Sequence, residues 1–137
     1  MKDKKIQASK LQPITELQVI YEDNHIIAIN KQPTMIVQGD KTGDKPMIDM
    51  VKEYIKEKYD KPGLVFAGVV HRIDRPVSGV VLFAKTSKAL DRLNAMFKDR
   101  EMQKTYWAIV KNRPPQDSGH LLNYLIKNPE RNFTTSY

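Results

Sequence analysis

The sequence predicts an α+β domain: a mixed, mostly antiparallel sheet with flanking helices. Three observations predict it. Segments rich in β-branched and apolar residues outnumber those with helical spacing, and the connections between them are mostly short. Of the 137 residues, 40% are hydrophobic, which is enough for one folded core at this length. There is no internal repeat or low-complexity tract, so residues 13–137 read as one domain behind a lysine-rich, flexible basic tail over residues 1–12.

The elements follow in order. Leu17-Gln-Val-Ile-Tyr21 and His25-Ile-Ile-Ala-Ile-Asn30 are strand-like, and the turn-forming Glu22-Asp-Asn24 between them predicts a β-hairpin. Lys31-Gln-Pro33 ends the second strand, and Met35-Ile-Val-Gln38 is read as a short third strand before the loop Gly39–Asp44. A helix follows, capped by Asp44 with Pro46 in its first turn, where no intrahelical donor is needed. Met47, Ile48, Val51, Tyr54 and Ile55 recur on its apolar face, and Lys61-Pro62-Gly63 stops it. Val65–Val70 and Val80–Lys85 are read as strands on either side of His71–Gly79. Thr86 or Ser87 starts a second helix with Leu90, Leu93, Met96 and Phe97 facing inward. Lys104–Val110 and His120–Ile126 are read as further strands, and Asn132–Tyr137 has strand composition up to the last residue, as if a fold continued beyond it.

Composition excludes several classes of function. Without cysteine there is no disulfide scaffold, no zinc site that needs thiolates and no thiol nucleophile. The charged start lacks an apolar leader, and no segment has membrane length, so the expectation is a soluble cytoplasmic protein. The net charge is +7, and a surplus of six lies between His71 and Arg113, where ten Lys or Arg meet four acids. Such a concentration suits a polyanionic partner, although a solvated basic face would look the same in sequence. A small anionic substrate is disfavoured because no glycine-rich phosphate loop is present. His25, His71 and His120 are widely scattered, so no metal site is expected.

The chemistry concentrates in His71-Arg-Ile-Asp-Arg-Pro-Val-Ser-Gly79. Apolar strands anchor both ends, while Pro76 and Gly79 force an irregular turn, the usual support for a site. Arg72 and Arg75 flank Asp74, and nearby cations favour its ionised form, able to act as nucleophile or electrostatic stabiliser. Residue types alone also allow a plain ion pair between Asp74 and one of these arginines.

The order of residues goes further. The run from His71 to Thr86, His-Arg-Ile-Asp-Arg-Pro-Val-Ser-Gly-Val-Val-Leu-Phe-Ala-Lys-Thr, closely resembles the signature of the RluA family of RNA pseudouridine synthases. Leu17–Gln38, with Tyr21-Glu-Asp23, Asn30, Lys31 and Pro33, resembles the family's opening hairpin. Arg100-Glu-Met-Gln-Lys104-Thr-Tyr106, followed by Ala108 and Val110, resembles its second conserved segment. The match covers the N-terminal portion of the family's catalytic domain; the later motif, with its basic residue and His-Gln-Ile-Arg-like run, has no counterpart here.

The resemblance implies a pseudouridine synthase-like fold and an isomerase that converts uridine in rRNA or tRNA to pseudouridine. It implies no cofactor, no metal, no membrane and, for the full-length protein, a monomer. By the same resemblance Asp74 is the catalytic aspartate, Arg72 arranges the RNA around a flipped nucleotide, and the ring of Tyr106 packs against the uracil. Lys104 and Arg75 complete the implied substrate-binding set. A non-catalytic RNA-binding module, or an inactive fragment of such an enzyme, remains the alternative.

Overall fold

The computed structural model describes residues 16–131 and 133–137, so the tail predicted for residues 1–12 lies outside the described residues. The chain forms two compact units, the first ending at Gln103 and the second spanning Lys104–Tyr137.

In the first unit, β1 (Val19–Glu22) and β2 (Ile26–Lys31) form the predicted hairpin. Its turn closes locally: Asp23 Oδ1 accepts the backbone N–H groups of His25 and Ile26 at 2.7 and 2.8 Å. Next come α1 (Met47–Lys58), β3 (Gly68–Val69), β4 (Gly79–Ala84) and α2 (Ser87–Lys98). The sheet has the order β1-β2-β4-β3, and each neighbouring pair is antiparallel. The β2–β4 ladder runs from Ile26 opposite Ala84 to Lys31 opposite Gly79. The motif from His71 to Gly79 therefore joins the sheet where β2 ends.

Ile27, Ile29, Val81 and Phe83 of the sheet pack with Met47, Val51 and Ile55 of α1 into the core. At about 1.5–3 kcal/mol for each buried aliphatic or aromatic side chain, this cluster is the main source of cohesion in the unit. A polar cluster closes its margin. Glu22 of β1 accepts hydrogen bonds from Tyr54, Lys58, Tyr59 and Lys85. Burial alone would raise its pKa, but the hydrogen bonds from Lys58, Lys85, Tyr59 and Tyr54 outweigh it and hold the carboxyl at about 2.

Several expected boundaries change. Met35–Gln38 is not a strand; the carbonyls of Ile36 and Val37 instead accept the N–H groups of Met47 and Ile48 at 2.8 and 3.2 Å. That segment thus caps α1 with its own backbone, and Asp44 does not. Val65–Val70 contracts to the two residues of β3. Thr86 caps α2, accepting from Ala89 N–H at 3.1 Å, while Met96 of the expected apolar face is 37% exposed.

In the second unit, β5 (Leu125–Asn128) pairs antiparallel with β6 (Phe133–Ser136). Asn128 Oδ1 accepts from Glu130 and Arg131 N–H, both at 3.0 Å, closing the turn. The strand expected over His120–Ile126 begins only at Leu125, and the one expected over Lys104–Val110 has no strand partner among the described residues. An extended segment becomes a strand only when another chain segment takes up its backbone hydrogen bonds.

Candidate active site

The motif from His71 to Gly79 leaves β3 and returns as β4 through a turn at Arg75-Pro76. Its side chains alternate in exposure. Arg72 and Asp74 are exposed, whereas Ile73 is partly buried and packs against the core cluster. Ile73 thereby anchors the two polar residues beside it without covering them. Val77 N–H donates to Asp74 carbonyl at 3.0 Å, closing the turn. Gly79 re-enters the sheet at φ 143°, a value that a side chain would strain.

The turn rests on a lysine that residue types alone did not single out. Lys31 is fully buried, and its Nζ donates to the carbonyls of Val77 at 2.6 Å, Arg75 at 2.9 Å, Asp74 at 3.1 Å and Gln32 at 3.3 Å. An ammonium has three hydrogens, so the four contacts share them, with Gln32 the weakest. Burial lowers the Lys31 pKa and the Arg75 cation lowers it further, while the Asp74 carboxylate opposes both. The clue was positional: Lys31 follows Ile27 and Ile29 at period two, so it occupies the face those residues bury. Thr34 adds a second support, donating its N–H to Arg75 carbonyl at 2.9 Å from a left-handed conformation with φ 78°.

The Asp74 carboxylate has no ion-pair partner among the described residues. The guanidinium of Arg75 is engaged with the loop before α1: its nitrogens lie 2.6 Å from Asp44, 2.8 Å from Thr42 Oγ1 and 3.2 Å from Asp40. These hydrogen bonds, led by that to Asp44, raise the Arg75 pKa. Arg72 projects beside an open depression of about 630 Å³, lined also by Ile48, Lys52, Ala67, Val69 and His71. His71 accepts Leu82 N–H at Nε2 (3.0 Å) and stacks on Phe97 of α2, with ring centroids 5.0 Å apart.

Three of the implied site residues, Arg72, Asp74 and Arg75, thus share one supported loop. Lys104 and Tyr106 belong to the second unit, where both are exposed and Tyr106 is 64% accessible. Among the cations of the basic segment in the first unit, Arg75 and Lys85 pair with acids, while Arg72, Lys88, Arg92, Lys98 and Arg100 enter no ion pair among the described residues. Among the described residues no group of three His, Asp or Glu could hold a metal ion, and no helix is long and apolar enough to cross a membrane.

The family model for RNA pseudouridylate synthase matches residues 25–136. The chain belongs to this family. The matched region contains the Lys31 support, the Asp74 turn and the segment with Lys104 and Tyr106. Similar curated relatives include the ribosomal large subunit pseudouridine synthase C of Vibrio vulnificus, 36% identical over 75% of this chain and 31% of that protein. The tRNA pseudouridine synthase C of Vibrio parahaemolyticus is 33% identical over 82% of this chain and 43% of that protein. The chain therefore spans about a third to two fifths of the length of these relatives. A solved structure of human RNA pseudouridylate synthase domain containing 4 aligns with a TM-score of 0.53 over 61% of this chain and 30% of that one, at 19% identity. That likeness supports the family's α+β fold for the aligned part.

Proposed function

We propose that this protein isomerises uridine to pseudouridine in structured ribosomal or transfer RNA, with Asp74 as its catalytic residue. The observation that carries the reading is the Asp74 turn: an exposed carboxylate on a loop gripped from beneath by Lys31, inside the region matched by the family model. Relatives named for rRNA and for tRNA support the substrate class.

In the reaction the C1′–N1 bond of uridine breaks, the uracil turns in place, C5 bonds to C1′ and releases its hydrogen as a proton, and N1 takes a proton up. Uridine within a helix is inaccessible, so the target nucleotide must leave its stack. Asp74, without an ion-pair partner among the described residues, initiates the isomerisation by attack on the sugar or the base, or by assisting deprotonation at C2′. Arg72 next to it has a flat, forked cation suited to gripping a phosphate or filling the vacated stack. Tyr106 offers its ring to the uracil, a contact of about 1–3 kcal/mol per base, and Lys104 offers a charge for the backbone. The unpaired cations of the first unit supply further attraction for phosphates. The protein acts in the cytoplasm as a monomer, without cofactor or metal.

The test is a pseudouridine assay on unmodified bulk RNA with the full chain and its Asp74→Asn variant. Wild-type protein is expected to form pseudouridine, and Asp74→Asn to bind RNA equally well without forming any. If both bind RNA and neither forms pseudouridine, the protein is a binding module and the catalytic assignment falls.

A further inference from the structure

We propose that Arg75 is a positioning residue which locks the loop preceding α1 against the catalytic turn, rather than a contact to RNA. The inference rests on the synthase reading and concerns how Asp74 is held.

Arg75 lies next to Asp74 in sequence, and its backbone and side chain serve two different supports. Its carbonyl is gripped on the sheet side by Lys31 Nζ and Thr34 N–H, both at 2.9 Å. Its guanidinium takes hold of Asp44, Thr42 and Asp40 across more than thirty positions of sequence. Thr42 is tied in turn to Asp40, donating both its N–H (2.9 Å) and its hydroxyl to Oδ1. The receiving loop is thus ordered around the cation. Asp40 and Asp44 are held below the ordinary carboxylate range, Asp40 mainly by Thr42 and Asp44 mainly by Arg75. A guanidinium with two carboxylates and a hydroxyl already in place has little left to offer a phosphate, and the two acids beside it would repel one.

The geometry also explains why arginine stands here. Three acceptors on one loop are met by a planar fork with fixed donor directions; a lysine would present one rotating point charge. Held from both sides, the Arg75 peptide cannot swing, and the Asp74 carboxylate one residue earlier keeps its direction. Misplacing a reacting group by about 1 Å can cost on the order of 100-fold in rate.

The test separates positioning from RNA contact by cutting the clamp from either end. Arg75→Ala removes the cation, and the double change Asp40→Asn with Asp44→Asn removes its acceptor charges while leaving Arg75 free. RNA affinity and single-turnover pseudouridine formation are measured in the full chain for each. Positioning predicts that both variants lose about 10- to 100-fold in rate with RNA Kd within about twofold of wild type. Arg75→Lys is expected to recover only part of the loss. The proposal is overturned if Arg75→Ala weakens RNA binding, or if the double variant, with its guanidinium released, binds RNA more tightly at full rate. Should Arg75→Ala fail to fold, the double variant decides alone. Asp74→Asn, assayed alongside, keeps the two claims apart: activity that survives this change overturns the synthase reading, whereas activity abolished by it but unaffected by loss of the clamp overturns only the role given to Arg75.

Discussion

At the scale of single residues, Lys31 sets two large effects against each other. Removing a buried ammonium relieves the cost of keeping a charge out of water, but it orphans the carbonyls that the charge was holding. Three of those carbonyls belong to the turn that carries Asp74, at Asp74, Arg75 and Val77. Because Asp74 and Val77 are exposed residues, water can reclaim part of the loss. Lys31→Met is therefore expected to destabilise the fold by roughly 2 kcal/mol, measured by urea unfolding, and to lower the isomerisation rate more than it weakens RNA binding. A Lys31→Met protein as stable as wild type would show that the carbonyls re-pair without the ammonium. Sequence reading found Asp74 and both its arginines because they form a contiguous motif. It named Lys31 only as part of the opening hairpin, because the role of its ammonium depends on carbonyls more than forty positions away that no local pattern reveals.

At the scale of elements, the contact of α2 with β3 rests on a glycine. A Cβ on Gly68 would stand 2.8 Å from Leu90 Cδ2 and 3.0 Å from Cδ1, closer than carbon atoms tolerate. Gly68→Ala is thus expected to cost about 1–2 kcal/mol by forcing Leu90 aside. Leu90→Ala opens the space, so the double variant should be more stable than the sum of the single losses predicts, by at least about 0.5 kcal/mol in a thermal or urea double-mutant cycle. Strict additivity would mean that the two elements do not press on each other. Elements with a local signal were legible in the sequence: the hairpin around Asp23, both helices, and the strand after Gly79. The failures share one cause. Met35–Gln38 and Lys104–Val110 have strand composition, but the first gives carbonyls to α1 and the second finds no partner strand among the described residues. Composition records what a segment tolerates, whereas pairing is decided by what lies beside it.

At the scale of the whole molecule, acid stability turns on the Glu22 cluster, which joins β1, the end of α1 and Lys85 beyond β4. The Glu22 carboxyl sits at about 2 in the fold against an ordinary 4.5, and its side chain is only 7% exposed. The unfolded chain therefore binds this proton first, so the contribution is complete above the ordinary value and is lost as pH falls towards the folded one. Its size is on the order of 2 kcal/mol. Unfolding free energy measured between about pH 5 and pH 2 should fall more steeply for wild type than for Glu22→Gln. Equal slopes would place the acid sensitivity elsewhere. The second unit is held very differently: its described residues are all exposed, Leu121, Tyr124, Ile126 and Phe133 among them, and an isolated two-stranded hairpin is marginal in water. Fold class was legible because it follows from patterning inside the first unit. The spatial relation of Lys104 and Tyr106 to Asp74 was not, since the motif that names them carries no distances.

The bond from Leu82 N–H to the His71 ring has a consequence for how a sheet turns into a working loop. In the β3–β4 register, Gly68 faces Ala84 and Val69 faces Phe83, and the ladder then stops. Continued by one rung, it would set Val70 opposite Leu82, whose amide points to the side the main chain has abandoned. The imidazole fills that place, standing in for a missing peptide carbonyl with its bare nitrogen, which leaves the ring's own hydrogen on Nδ1. The histidine that opens the motif is thus a splice between two kinds of structure. It lets the polypeptide leave regular pairing after Val69 without stranding a donor, while Arg72 and Asp74 face outward beyond it.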